Sequence, residues 1–315
     1  MIAVVGCGYW GKNLIRNFAE LGILKAVCDE EVQRAQGLAN QHNVETQTYE
    51  QILADPQITA VAIAASPRLN SELSIKALDA GKHVFVEKPH AYQIDDAQRL
   101  VDAQKKSGRV LLVGHLLLYH SAFLKIKDLL NQGTIGSLKE IRCFRHGLGR
   151  IRDEFSVLWE LAPHDVSMIL DINPHPVDKV QALGSRSLTN QMDTIRALYT
   201  FENGVTAHIS CSWTDPMRQQ QIVLQGTKGY LIFDDTRPWD EKVHLVQFDT
   251  SMNADSINQA QYRIESIVVE QEEVLKRECV HFLACMEGKE SPRTDLTQAS
   301  PVFDLLMQTQ EALKA

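Results

Sequence analysis

Three glycines, an acid and a lysine carry the first chemistry legible in the sequence. Gly6, Gly8 and Gly11 stand as Gly-Cys-Gly-Tyr-Trp-Gly directly after the apolar run Ile2–Val5. Between a strand and a helix, the first glycine permits the tight turn. The second lets the backbone approach a pyrophosphate, and the third lets helix and strand pack closely. Helix N-terminal N–H groups then face the phosphate charge. Asp29 follows about twenty residues beyond Gly8, where an acid hydrogen-bonds the ribose hydroxyls of a dinucleotide. Glu30 and Glu31 add negative charge that repels a 2′-phosphate, so NAD is the expected cofactor. NADP is the alternative, because Arg34 lies close by. Lys88 stands between Glu87 and Pro89 after the run 84–86. Strand ends at the carboxyl edge of an open sheet face the ligand crevice. An ammonium there is placed to meet cofactor and substrate, with Glu87 to hold it and Pro89 to stiffen the turn. The alternative is an ordinary solvated lysine.

These residues need elements to hold them. Short, nearly continuous apolar runs at Ile2–Val5, Leu24–Cys28, 61–64, 84–86 and 110–113 read as parallel strands buried on both faces. Helix-period segments lie between them, with Gly22, Gly81 and Gly108 as stops. The alternation predicts an α/β doubly wound parallel sheet over 1–118. After Gly114 the pattern changes. A helix at 122–132 is followed by strand-like stretches at 138–145, 177–183, 194–201, 206–213, 220–224 and 230–233. Asn203-Gly204 marks a hairpin. An α+β domain with a mostly antiparallel, open-faced sheet is expected over 119–315, closed by helices at 265–287 and 301–312.

The bulk composition excludes several classes. The chain of 315 residues has a formal net charge of -8, so the basic field that sequence-independent nucleic-acid binding needs is missing. The six cysteines are scattered, with no C-x-x-C pair, against both a zinc finger and a disulfide framework. No apolar run approaches the ~20 residues of a membrane span, and a strand at Ile2 leaves no room for a signal peptide. The expected location is cytoplasmic. His115, His120, His146 and the pair His164-Asp165 fit no zinc spacing, so no metal is expected.

The glycine fingerprint, the stretch Gly81-Lys82-His83-Val84-Phe85-Val86-Glu87-Lys88-Pro89, and Gly114-His115 together resemble the glucose–fructose oxidoreductase / inositol dehydrogenase / MocA family. The resemblance runs through the chain to Gly226-Thr227-Lys228-Gly229. It implies a Rossmann domain, an open-faced sheet domain, a tightly held nicotinamide, and oxidation of a sugar or polyol hydroxyl. It places Tyr9, Trp10, Ser66, Pro67 and Asn70 at the cofactor beside Gly6, Gly8, Gly11, Asp29, Glu87 and Lys88. Asn70 stands near where the family often has histidine, and His90 where a small or aliphatic residue is commoner.

Trp159-Glu160-Leu161-Ala162-Pro163-His164-Asp165 resembles the family's catalytic segment, with Glu160 in place of the usual aspartate. On one helix, Glu160 and His164 would share a face, with Pro163 confined to a first turn. The resemblance thus makes His164 the base, Lys88 the electrostatic stabiliser of the reacting oxygen and Glu160 a positioning group. Gly8 to Leu14, Tyr119-His120 and 159–165 resemble the family's nucleotide-sugar branch. That branch oxidises the 3-hydroxyl of UDP-N-acetylglucosamine-type uronic acids. Lys88, His115, Tyr119, Arg152 and His164 are the expected substrate contacts. Arg145, Arg150 and Arg152 are candidates for a diphosphate or carboxylate, or else a solvated basic loop. The alternatives are a dehydrogenase of a free polyol, inositol or aldose, and a non-catalytic NAD-binding sensor. An uncovered apolar sheet face would be a liability, which makes a homodimer or homotetramer through the C-terminal sheet the expected assembly.

Overall fold

All four residues of β1 (Ile2–Val5) are buried, and successive side chains enter two different cores. The computed structural model in which this is seen describes residues 1–149, 151, 154–188, 190–248 and 262–314. They form two compact units, Met1–Leu116 with Glu273–Phe303, and Leu117–Glu272 with Asp304–Ala315.

In the first unit β1 is followed by α1 (Gly11–Glu20), β2 (Leu24–Cys28), α2 (Val32–His42), β3 (Glu45–Thr46), α3 (Tyr49–Ala54) and β4 (Ala60–Ile63). Then come α4 (Pro67–Asp79), β5 (His83–Glu87), α5 (Ile94–Ser107) and β6 (Leu111–Gly114). The six strands are parallel, in the order β3-β2-β1-β4-β5-β6. Ile2 and Val4 join Leu14, Phe18 and Leu38 from α1 and α2. Ala3 and Val5 join Ile52, Leu78 and Leu100 from α3, α4 and α5 on the other face. Strand order reverses between β1 and β4, and the carboxyl ends of strands at such a switch point are where doubly wound sheets bind ligands.

The second unit contains α6 (Ser121–Asn131), β7 (Leu138–Leu148), α7 (Val157–Glu160) and α8 (Ala162–Ile172). These precede β8 (Val177–Ser185), β9 (Thr194–Phe201), β10 (Thr206–Ser212), β11 (Thr214–Gly226), β12 (Gly229–Asp234), β13 (Val243–Phe248) and β14 (Tyr262–Ile267). The sheet order is β14-β13-β12-β11-β7-β10-β9-β8. Only the β7–β10 pair is parallel among the pairings described. Ile141, Cys143 and Arg145 of β7 are buried along with Ala207, Ile209 and Cys211 of β10, and α8 packs on both strands. Phe144, His146 and His208 occupy the alternate positions and are half-buried.

Two expectations change at the C-terminal end. Residues 262–267 are a strand, not the start of a helix. Tyr262 and Ile264 alternate with Arg263 and Glu265, and β14 pairs antiparallel with β13. The helix begins at α9 (Val274–Met286). Its apolar stripe Leu275, Cys279 and Phe282 enters the core that contains α1, and Phe282 meets Phe85 edge-on at 5.7 Å. Likewise α10 (Leu296–Ala312) starts before Pro301, where the Asp295 carboxylate accepts the Thr297 N–H at 2.8 Å. Leu296 and Ala299 enter the other core of the first unit. A stretch that the sequence grouped with the second domain thus packs in the first. Its periodicity encodes an apolar stripe but does not specify the partner.

Candidate active site

The glycine loop is shaped by two close approaches and one opening. Gly6 has φ +94°, and a Cβ there would lie 2.4 Å from the Ala64 carbonyl oxygen. A Cβ on Gly11 would lie 1.8 Å from the Gly6 carbonyl oxygen. Both glycines are demanded by the chain's own backbone. At Gly8 nothing lies within 4 Å of the Cβ position, so backbone is open to close approach there. No side chain caps α1 at Trp10, which leaves helix N–H groups for an anion. The loop fits a dinucleotide pyrophosphate. Tyr9 is 75% exposed beside it.

Asp29 secures this loop from the end of β2. Its carboxylate accepts the Cys7 N–H at 2.6 Å and the Glu31 N–H at 2.8 Å. Arg34 lies 3.2 Å from the same carboxylate and also pairs with Glu31. The cation that kept NADP open is therefore engaged by two acids.

At the end of β5 three sequence-predicted residues meet. The Trp10 indole N–H donates to the Glu87 carboxylate, joining the glycine loop to the Glu87-Lys88-Pro89 triplet. That carboxylate rests on Gly114, where a Cβ would come within 3.0 Å of Oε2. The Asn70 amide donates to the carbonyls of Glu87, at 3.1 Å, and Pro89, at 2.9 Å, and so braces the backbone on both sides of Lys88. Ser66 and Pro67 form the start of α4, at its N-cap and first turn. His90 and His115 are buried at 2% and 3% exposure. Burial pushes the His90 imidazole down to about 4. Burial, then the charges of His90 and Lys88, push His115 down to about 3. Both rings are neutral at neutral pH.

In the second unit, the segment resembling the family's catalytic one does not form a single helix. Glu160 ends α7, Leu161 intervenes, and His164 lies in the first turn of α8. Pro163 has no N–H to continue the ladder, so the break falls where the sequence allowed only a first turn. The His164 carbonyl accepts the Ser167 hydroxyl at 2.9 Å. Next to it, Asp165 is fully buried and takes Arg145 Nε at 3.0 Å and Nη2 at 2.7 Å on one oxygen. The Cys211 thiol meets its other oxygen at 3.6 Å.

This pair corrects one expectation. Arg145 is a buried partner of Asp165, not a loop cation for a diphosphate, because its place on β7 points it into the core of its unit. Arg150 and Arg152 lie outside the described residues. Tyr119 is 2% exposed. His120 caps α6, its Nδ1 accepting the Ala122 N–H at 3.0 Å, and its Nε2 lies 3.4 Å from Asp235. Sequence reasoning gave Asp165 no role of its own. An acid next to the candidate base and an arginine at an alternating strand position were the available signals. No cluster of three metal-ligating side chains occurs among the described residues.

Residues 1–115 match the profile of an oxidoreductase family with an NAD-binding Rossmann fold, GFO_IDH_MocA. Residues 123–232 match the GFO/IDH/MocA C-terminal domain. The "uncharacterized oxidoreductase YrbE" of Bacillus subtilis is 28% identical over 78% of this chain and 76% of its own. The myo-inositol 2-dehydrogenase of Thermotoga maritima is 27% identical over 75% of each. Among solved structures, the UDP-N-acetylglucosamine 3-dehydrogenase GnnA of Acidithiobacillus ferrooxidans superposes with a TM-score of 0.88. It covers 99% of this chain and 96% of that one, at 21% identity.

Proposed function

This chain belongs to the Gfo/Idh/MocA oxidoreductase family, and from that premise we propose that it oxidises the 3-hydroxyl of a nucleotide sugar of the UDP-N-acetylglucosaminuronic acid type with NAD. The observation that supports the NAD part of the reading is the open backbone at Gly8 between Gly6 and Gly11, where an added Cβ would strike backbone; the sugar part rests on the likeness to the UDP-N-acetylglucosamine 3-dehydrogenase. Gly6, Gly8, Gly11, Tyr9 and Trp10 hold the pyrophosphate side of the dinucleotide, Asp29 the ribose, and Ser66, Pro67, Asn70 and Glu87 the nicotinamide side. NAD, when bound, supplies the hydride acceptor. Engagement of Arg34 by Asp29 and Glu31 supports NAD over NADP.

His164 takes the hydroxyl proton, and Glu160 orients it. Lys88 steadies the developing alkoxide by charge and hydrogen bonding. Tyr119 and Arg152 contact the sugar and its anionic group. A second reading, oxidation of an uncharged polyol such as inositol, is favoured by one observation: Arg145 is occupied by Asp165, which leaves fewer cations for a diphosphate. The enzyme acts in the cytoplasm as a homodimer or homotetramer formed through the C-terminal sheet. No helix among the described residues is long and apolar enough to cross a membrane.

The test is turnover. Purified protein and NAD are mixed with UDP-N-acetylglucosaminuronic acid, myo-inositol or glucose, and reduced nicotinamide is followed by absorbance. Faster turnover of the UDP-sugar is expected. Turnover of myo-inositol alone would give the second reading the substrate, and no turnover in either direction with any sugar would leave a sensor.

A further inference from the structure

The parallel sheet stops holding the backbone one residue before Lys88. The β5–β6 ladder ends where Glu87 lies opposite Gly114, and the β4–β5 ladder ends where Val86 lies opposite Ile63. Another element takes over there. Near the start of α4, the Asn70 amide nitrogen donates to the Glu87 carbonyl at 3.1 Å and to the Pro89 carbonyl at 2.9 Å. Earlier on the same helix, the Arg68 guanidinium carbon lies 4.9 Å from the centre of the Tyr92 ring. The helix thus meets the loop after β5 both beside Lys88 and beyond it. All of these residues belong to the first unit.

A side-chain amide nitrogen carries two hydrogens, and the two carbonyls take both. Asn70, expected from the sequence at the cofactor, has no side-chain N–H left to offer a nicotinamide. The residue is itself well fixed. It is 1% exposed, its backbone N–H donates to the Ser66 carbonyl at 3.2 Å, and its own carbonyl accepts the Ser74 hydroxyl at 2.7 Å.

The two anchored carbonyls lie on either side of the lysine. The Glu87 carbonyl belongs to the rigid peptide plane before Lys88, and the Pro89 carbonyl to the plane after Pro89. Between them the proline ring fixes its own φ. The Lys88 Cα is therefore held from both directions. A lysine ammonium rides on a flexible four-carbon stem, so fixing the root of that stem narrows the space that the charge can sample.

We propose that Asn70 is a positioning residue for Lys88: it continues the hold of the sheet past Glu87 and sets where the ammonium meets the reacting oxygen. This rests on the role of Lys88 in the proposed function. It changes the part that Asn70 has there, from a contact of the cofactor to a support of the lysine.

The test combines kinetics with crystal structures of the parent and of Asn70→Ala, both with NAD. With UDP-N-acetylglucosaminuronic acid, Asn70→Ala should lower kcat by about tenfold or more, because small misplacements of a reacting group are costly. NADH affinity and the KM of the sugar should hold within about threefold. Asn70→Asp sets an oxygen against two carbonyls and should lose kcat as well. Asn70→His keeps one N–H on a neutral ring and should recover part of it. In the Asn70→Ala crystal the Lys88 Cα should move by more than about 0.5 Å, with the backbone up to Val86 in place. An unmoved Lys88, or an unchanged kcat in Asn70→Ala, overturns the proposal. So does a loss of NADH affinity as large as the loss of kcat, which would return Asn70 to the cofactor. Should Asn70→Ala fail to fold, Asn70→Asp and Asn70→His decide by the same measurements. A Lys88→Met variant with normal turnover removes the lysine from the reaction and the proposal with it. A parent that oxidises only myo-inositol counts against the proposed substrate alone, and kcat is then read with myo-inositol. A parent inactive on every sugar counts against the proposed function, and the movement of Lys88 then decides.

Discussion

The Arg145 guanidinium donates two hydrogen bonds to a single oxygen of Asp165, at 3.0 and 2.7 Å, in the core beneath α8. The acid lies next to His164, so the pair fixes the first turn of the helix that carries the candidate base.

Breaking one side of this pair should be costly. Arg145→Met leaves a buried carboxylate alone and should destabilise the protein by about 3–5 kcal/mol. Arg145→Met combined with Asp165→Leu should recover much of that. Denaturant unfolding measures both. An Arg145→Met variant as stable as the parent, with KM raised only for UDP-sugars, would return Arg145 to substrate binding.

The glycine loop separates folding from binding. Gly11→Ala drives a Cβ into the Gly6 carbonyl and should lower the melting temperature sharply or prevent folding. Gly8→Ala points into open space, so it should fold normally and weaken NADH. Equal NADH affinity in Gly8→Ala and parent would refute the placement of the pyrophosphate.

NAD should bind more tightly than NADP. Asp29→Ala removes the proposed ribose acceptor and also the carboxylate that accepts the Cys7 N–H and faces Arg34. It should weaken NADH while narrowing the gap to NADPH. Titration of the cofactor-free protein with each reduced dinucleotide reads this directly, and a parent that prefers NADPH sinks the assignment.

Lys88 and His164 should fail differently. Lys88→Met should keep the fold and lose kcat by about 10²-fold or more, an effect of a few kcal/mol at the reacting oxygen. His164 must be neutral to accept a proton, so oxidation should rise with pH as the imidazole deprotonates. His164→Asn should abolish that limb and leave NADH binding in place. An unchanged pH profile in His164→Asn removes it as the base.

Acid should destabilise the first unit through its two buried imidazoles. His90 and His115 titrate at about 4 and about 3 in the fold, against about 6.5 for a free histidine. The unfolded chain therefore binds more protons between these values. Stability is full above about pH 6.5 and falls as pH drops towards about 4, by up to roughly 1.4 kcal/mol per pH unit for each ring. Urea unfolding across that range should show the slope, reduced in His115→Gln. The same slope in that variant would mean that other groups dominate.

Local order along the chain was enough to read the parallel sheet, the glycine loop and the Asn203-Gly204 hairpin. Gly6 and Gly11 are required by atoms of their own β1–α1 turn and of Ala64, just after β4, and apolar periodicity marks each strand and helix wherever it packs. Even the break in the His164 segment was latent in Pro163, which has no N–H to give. Other features depend on partners distant in sequence. Arg145 read as a loop cation because its mate is Asp165, on an element that sequence spacing does not relate to β7. The stripe of α9 named no surface, and only folding set Leu275 and Phe282 against the core of the first unit. Glu278 lies on the same helix and is fully buried. Its burial near Glu87 exists only once α9 has docked, because desolvation is a property of the surroundings and not of the residue.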